Sequence, residues 1–127
     1  SVASISFLKR GIERTMREVP REKIVAALPF YTRIWKIYTE GRPDSETLGM
    51  SATSEFVSSH NMEVYWDDET CQNIAESDAG DYYLKIWIED AASLKEKMAV
   101  VKENDIAGTA AWRLGLETPD VWEILAW

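Results

Sequence analysis

Lys23-Ile24-Val25-Ala26-Ala27-Leu28-Pro29-Phe30-Tyr31 is the stretch on which the fold turns. Its apolar residues are contiguous rather than alternating, the pattern of a strand buried on both faces of a parallel sheet. Pro29 cannot donate a ladder hydrogen bond, so the strand should fray there and hand over to a loop, leaving Tyr31 and Arg33 at its carboxyl end. A second stretch reads the same way. Ile106-Ala107-Gly108-Thr109-Ala110-Ala111-Trp112 is unbroken and mostly small, as suits a central strand where backbones crowd together.

Upstream, Ile5, Leu8, Ile12, Met16 and Val19 recur in steps of three and four, which predicts a helix over 4–18 with Ser4 as its cap and Pro20 as its stop. Between the two strands, residues 39–50 carry Gly41, Pro43, Asp44, Ser45 and Gly49 without periodicity and read as a loop. Ser51 could cap a short helix to about Ser59, holding Phe56 and Val57. Met62, Val64 and Trp66 then alternate with Glu63 and Tyr65. The acidic turn Asp67-Asp68-Glu69 leads into an extended run from Thr70 to about Glu76, and Ser77-Asp78-Ala79-Gly80 turns the chain again. In the next run Leu84, Ile86 and Ile88 face one way, with Tyr83, Lys85, Trp87 and Glu89 facing the other. Residues 60–89 thus form an antiparallel meander. From Asp90 a helix returns, with Leu94, Met98 and Val101 on its stripe and Lys95, Glu96, Lys97 and Lys102 toward water, ended by Asn104 and Asp105. Thr118, with Pro119 at the first helical position, opens a last helix carrying Val121, Trp122 and Leu125. No internal repeat appears.

The order is helix, buried strand, inserted segment, helix, buried strand, helix. Two buried strands are too few, since each needs neighbours on both edges, and a closed barrel of this type takes about 250 residues. The chain has 127 residues, begins at Ser1 rather than Met, shows no signal peptide and ends on Trp127 directly behind an amphipathic stretch, so both ends read as cut. A net charge of -8 is the wrong sign for tracking nucleic acid or an anionic membrane. Cys71 is the only cysteine, which excludes an intrachain disulfide and a thiolate metal cage. No apolar run reaches the roughly 20 residues that span a bilayer.

The inventory for unaided catalysis is thin: one His, one Cys, and no nucleophile elbow, P-loop, HExxH or paired cysteines. His60 sits between polar residues at a helix end and reads as exposed; Cys71 reads as a small packed residue. Asp67-Asp68-Glu69 is most simply a solvated turn, and Glu89-Asp90 a helix cap. The aromatics say more. Six Trp and five Tyr exceed what a small core absorbs, and flat sugar faces stack on such rings while Arg and carboxylates bind hydroxyls. Tyr31, Arg33, Trp35 and Trp112 fall at or past the carboxyl ends of the two buried strands, the face where barrel active sites assemble. Trp35, Trp66, Trp87 and Trp122 also have a plainer reading, as packing for the insert and the helices.

Four blocks, Val19-Pro20-Arg21-Glu22-Lys23 running on to Arg33, Tyr65-Trp66-Asp67-Asp68-Glu69-Thr70, Trp87-Ile88-Glu89-Asp90 running on to Lys97, and Ile106 to Glu117, resemble in order and spacing the C-terminal part of a glycoside hydrolase family 18 (chitinase-like) domain. The resemblance is strongest to bacterial spore-associated and cell-wall members, which often carry LysM repeats elsewhere. It implies an α/β fold, a fragment of a (β/α)8 TIM barrel holding strand seven at 23–31, an α+β insertion at 37–89, a helix at 91–103, strand eight at 106–112 and the closing helix, with barrel segments 1–36 and 90–127. It also implies substrate contacts. Tyr31 and Arg33 match the family's Tyr-x-Arg that lines the subsite of the sugar to be cleaved, Trp112 matches the platform under that sugar, and Glu89 and Asp90 match acidic positions at the insertion's exit. No metal or cofactor is implied.

One departure is large. The signature DxxDxDxE, which carries the general acid and the Asp that orients the nucleophilic acetamido group, is nowhere in the chain, and neither is the Met-x-Tyr-Asp block. A general acid is worth roughly 10² to 10⁴ in rate, so no hydrolysis is expected of this chain alone. The first expectation is a piece of an extracellular, cell-wall or spore glycosidase acting on β-1,4-linked N-acetylglucosamine polymers, peptidoglycan or chitin-like. The second is a non-catalytic, lectin-like family member. The third is a self-standing interaction module. Cut strands expose edges, so self-association is expected of the fragment.

Overall fold

The computed structural model describes residues 1–126; Trp127 lies outside them. Its strands form two sheets, a parallel pair and a five-stranded antiparallel sheet.

Helix α1 (Ile5–Thr15) follows the predicted stripe. Ser4 Oγ accepts from the Phe7 N–H at 3.2 Å, Ile5 and Ile12 are buried, and Leu8, Met16 and Val19 pack beside them. A 3₁₀ turn at Arg21–Lys23 leads into β1 (Val25–Pro29), which pairs in parallel with β7 (Gly108–Trp112) from Val25 opposite Gly108 to Pro29 opposite Trp112. Burial is one-sided in β1, and β7, expected as a buried central strand, has no buried residue. Ile24, Ala26 and Leu28 enter the core, whereas Val25 and Ala27 are exposed, because among the described residues each of these strands has one neighbour and helices cover one face.

The expected loop after Pro29 is absent. Phe30, fully buried, donates its N–H to the Trp112 carbonyl at 2.7 Å, and the chain enters β2 (Tyr31–Tyr38) at once. Tyr31 and Arg33 therefore open a strand of the second sheet rather than trail from the first. Residues 44–49, read as loop, are strand β3 (Asp44–Gly49), paired antiparallel with β2. As an edge strand of mostly polar residues it has no buried row to imprint a period-two pattern.

Helix α2 (Met50–Ser59) is capped by Gly49, without a side-chain hydrogen bond, rather than by Ser51. The meander runs β4 (Glu63–Asp67), β5 (Gln72–Asp78), β6 (Tyr82–Ile88), and β6 also pairs with β2, giving the order β3-β2-β6-β5-β4. Leu84 and Ile86 bury against Ile34, Met62 and Ala75 under Phe56 and Val57 of α2. On edge strand β4 the alternation does not bury a face: Met62 just before it is buried, but Val64 and Trp66 are exposed. Cys71 lies in the β4–β5 turn with φ of 52°, one residue outside the strand that was to hold it.

Helix α3 (Ala91–Glu103) buries Leu94, Met98 and Val101 and ends at Asn104. Lys97, expected in water, is fully buried. Its spacing, three after Leu94 and four before Val101, puts it on the stripe, and Glu89 makes that position tolerable for a charge. Helix α4 (Val121–Leu125) begins two residues beyond Pro119, because the N–H groups of Val121 and Trp122 first close a turn onto the Thr118 and Pro119 carbonyls. Trp122 meets Phe30 edge to face at 6.1 Å. Among the described residues no helix is long and apolar enough to cross a membrane.

Candidate functional site

The parallel register sets Trp112 beside Pro29, and the crossing at Phe30 delivers β2 to the same end of the pair. Along β2 side chains alternate, so Thr32 and Ile34, both fully buried, sink inward while Tyr31, Arg33 and Trp35 share the opposite face. Arg33 stands opposite Thr47 of β3 and donates from Nη1 to Ser45 Oγ at 2.7 Å, which fixes its long side chain across the strand pair.

The other wall comes from the segment after β7. The Trp112–Arg113 peptide is cis, and Arg113–Leu116 forms a turn in which Leu116 N–H donates to the Arg113 carbonyl at 3.2 Å and Gly115 takes φ of 93°. Leu116 is then strapped to the start of α2, its carbonyl accepting from Met50 N–H at 2.8 Å. Gly49 permits this approach: a Cβ there would lie 3.2 Å from the Leu116 carbonyl oxygen. The result is an open cleft of about 480 Å³ lined by Tyr31, Arg33, Thr47, Trp112, Arg113 and Leu116 among others. Trp112 is 68% exposed at its edge. A flat indole, a phenol and two guanidinium groups on one concavity suit a ligand with an apolar face and many hydroxyls.

Glu89 and Asp90 are elsewhere. They border a separate cavity of about 430 Å³ against α2, shared with Thr53, Asn73 and Asp120. Glu89 is 1% exposed, with Lys97 Nζ 2.7 and 2.5 Å from its two oxygens and Ser93 Oγ donating at 2.7 Å. Burial pushes its carboxyl above the usual range, against the pull of Lys97 and Ser93. Asp90 caps α3, accepting from Ser93 N–H at 2.9 Å and from Asn73 Nδ2 at 3.0 Å. The capping reading fits Asp90; Glu89 instead serves an interior ion pair.

His60 is exposed at the end of α2, stacked on Phe56 at 3.9 Å between ring centres. Cys71 is half-buried, and desolvation pushes its thiol up, away from thiolate chemistry. Asp67 accepts from the Thr70 N–H and hydroxyl, tying the β4–β5 turn. Of the four tryptophans given a packing role, Trp66 and Trp122 are 40% and 48% exposed, Trp87 carries Lys85 Nζ 5.0 Å from its ring centre, and Trp35 keeps its Nε1 buried without a hydrogen-bond partner among the described residues.

The profile of glycosyl hydrolases family 18 matches residues 5–117, a span that takes in the parallel pair, the antiparallel sheet and the cleft. The chain belongs to this family. It is 28% identical over 129 residues to the cortical fragment-lytic enzyme of Bacillus subtilis strain 168, covering 99% of this chain and 30% of that protein. Among solved structures, the Bacillus cereus spore cortex-lytic enzyme SleL superposes with a TM-score of 0.85 at 24% identity, over 96% of this chain and 29% of that one. A chitinase of Chromobacterium violaceum gives 0.84 at 20%, over 96% and 38%. The chain thus spans about 30% of the length of the curated family 18 relatives it matches.

Proposed function

We propose that this chain is the C-terminal part of a family 18 barrel, with β1 and β7 as strands seven and eight and 37–89 as an α+β insertion between barrel segments 1–36 and 90–127. On this reading the whole protein is a spore- or cell-wall-associated glycosidase for β-1,4-linked N-acetylglucosamine polymers, peptidoglycan before chitin. The carrying observation is the convergence of Tyr31, Arg33 and Trp112 on one cleft at the carboxyl ends of a parallel strand pair. The names of the spore-cortex relatives and the short share of their length that the chain spans point the same way.

Each residue then has a role. Trp112 stacks under the sugar ring, the Tyr31 hydroxyl and the Arg33 guanidinium hold its oxygens, and the Arg113–Leu116 turn walls the cleft. The proton donor and the carboxylate that orients the acetamido group come from strand four of the whole protein, so these residues bind without cleaving. The test is calorimetry of the N-acetylglucosamine tetramer on this chain. Trp112→Ala should weaken binding about tenfold, the loss of a stacked aromatic worth about 1.4 kcal/mol; equal affinity would reject the assignment. A whole protein whose strand four lacks the acid would be lectin-like, binding with the same three residues and turning over nothing.

A further inference from the structure

Thr32 stands between the two cleft residues of β2 and is fully buried. The β2–β6 ladder begins only at Ile34 opposite Ile86, so residues 31–33 have β3 on one side and no strand pairing on the other. On that side Thr32 Oγ1 accepts from the Glu89 N–H at 2.9 Å, a side-chain contact between described residues that stands where the ladder has not yet begun. Glu89 is itself immobilised from two further elements. Lys97 and Ser93 of α3 hold its carboxylate, and Gln72 of β5 donates to the Ile88 carbonyl at 3.2 Å and to Glu89 Oε2 at 3.4 Å. All five side chains are no more than 1% exposed, so solvent screens these hydrogen bonds little.

We infer that Thr32, with the Glu89–Lys97 pair behind it, positions the cleft: these buried residues hold the unladdered start of β2 so that Tyr31 and Arg33 reach the sugar stacked on Trp112. The inference rests on the proposed binding role and assigns Glu89 to positioning in place of sugar contact. A side chain held only by β3 could swing with that edge strand, and a misplacement of about 1 Å is enough to degrade a polar constellation.

The test uses the whole 127-residue chain. Thr32→Val keeps the shape and removes the acceptor, while Thr32→Ser keeps the acceptor. With unchanged circular dichroism, Thr32→Val should speed hydrogen exchange of the amides of residues 31–33 about tenfold while residues 34–37 stay as they were, and weaken tetramer binding about fivefold. Thr32→Ser should restore both. The pair variant Glu89→Gln with Lys97→Met should move both readouts in the direction of Thr32→Val. Equal acceleration along all of β2, or loss of stability with tetramer affinity intact, would reduce Thr32 to a core residue and overturn the inference. If Trp112→Ala loses binding and Thr32→Val does not, the positioning role fails and the binding site stands. If the unmodified chain binds no tetramer, the binding reading fails; localised, hydroxyl-dependent exchange then upholds the anchoring and uniform exchange overturns it.

Discussion

At the scale of single residues, the least expected feature is a lysine and a glutamate sealed together in the interior. Both are 1% exposed, and the ammonium contacts both carboxylate oxygens. Taking two charges out of water costs several kcal/mol each, an expense their attraction offsets only while both are present. Lys97→Met alone should therefore lower stability by about 3–5 kcal/mol in urea titration, leaving Glu89 buried without its partner. Glu89→Leu combined with Lys97→Met should cost far less. Losses of Glu89→Leu and Lys97→Met that simply add in the double variant would mean that the pair is not coupled. Spacing alone puts position 97 on the buried stripe of α3; the charge argues for water, and no local pattern joins it to a glutamate eight residues upstream.

At the scale of elements, the antiparallel sheet carries the acid sensitivity. Glu76 and Lys85 are cross-strand partners on β5 and β6, 3.0 Å apart, and the hydrogen bond from Lys85 holds the Glu76 carboxyl below its usual value. The Asp67 carboxyl is lowered in the β4–β5 turn, chiefly by the Thr70 hydroxyl. A carboxylate with a depressed folded-state pKa favours folding above its unfolded value and loses that contribution as pH falls through the folded one. Stability should thus decline on acidification below about pH 4.5, the ordinary value for Glu76. Glu89 works in the opposite direction, its raised pKa favouring the folded chain as pH falls toward that ordinary value from above. Urea midpoints measured from pH 6 to pH 3 check this, and Glu76→Gln should flatten the acid limb. An unchanged limb in that variant would place the sensitivity elsewhere. The meander itself is legible because β6 buries one face and exposes the other; β3 is not, because an edge strand is specified by its partner rather than by its own hydrophobic pattern.

At the scale of the whole molecule, the parallel pair sets the behaviour. Each of its strands is paired on one edge among the described residues, and Val25, Leu114 and Trp122 are exposed around it, outside the cleft of Trp112. Within the proposed barrel those surfaces would be covered. In isolation they should draw two copies together, so sedimentation should show association that grows with concentration and weakens when Val25→Lys is introduced at the open face. A monomer across the whole concentration range would remove that expectation. Assayed with a fluorogenic N-acetylglucosaminide, the chain should show no turnover, since no carboxylic acid borders the cleft of Tyr31, Arg33 and Trp112 among its described lining. Turnover that survives purification and vanishes in Trp112→Ala would sink the proposal.

Local pattern by itself determined the helices at α1 and α3, the two apolar strands, the meander and the aromatic character of the strand ends, because periodicity and capping act within a few residues. Tertiary structure decided that Tyr31 begins a second sheet, that β3 is a strand, and that Glu89 belongs to Lys97 rather than to the cleft. Those choices depend on partners distant in the chain: the Phe30 crossing against Trp112, the pairing of β3 with β2, and the burial that makes two opposite charges seek each other.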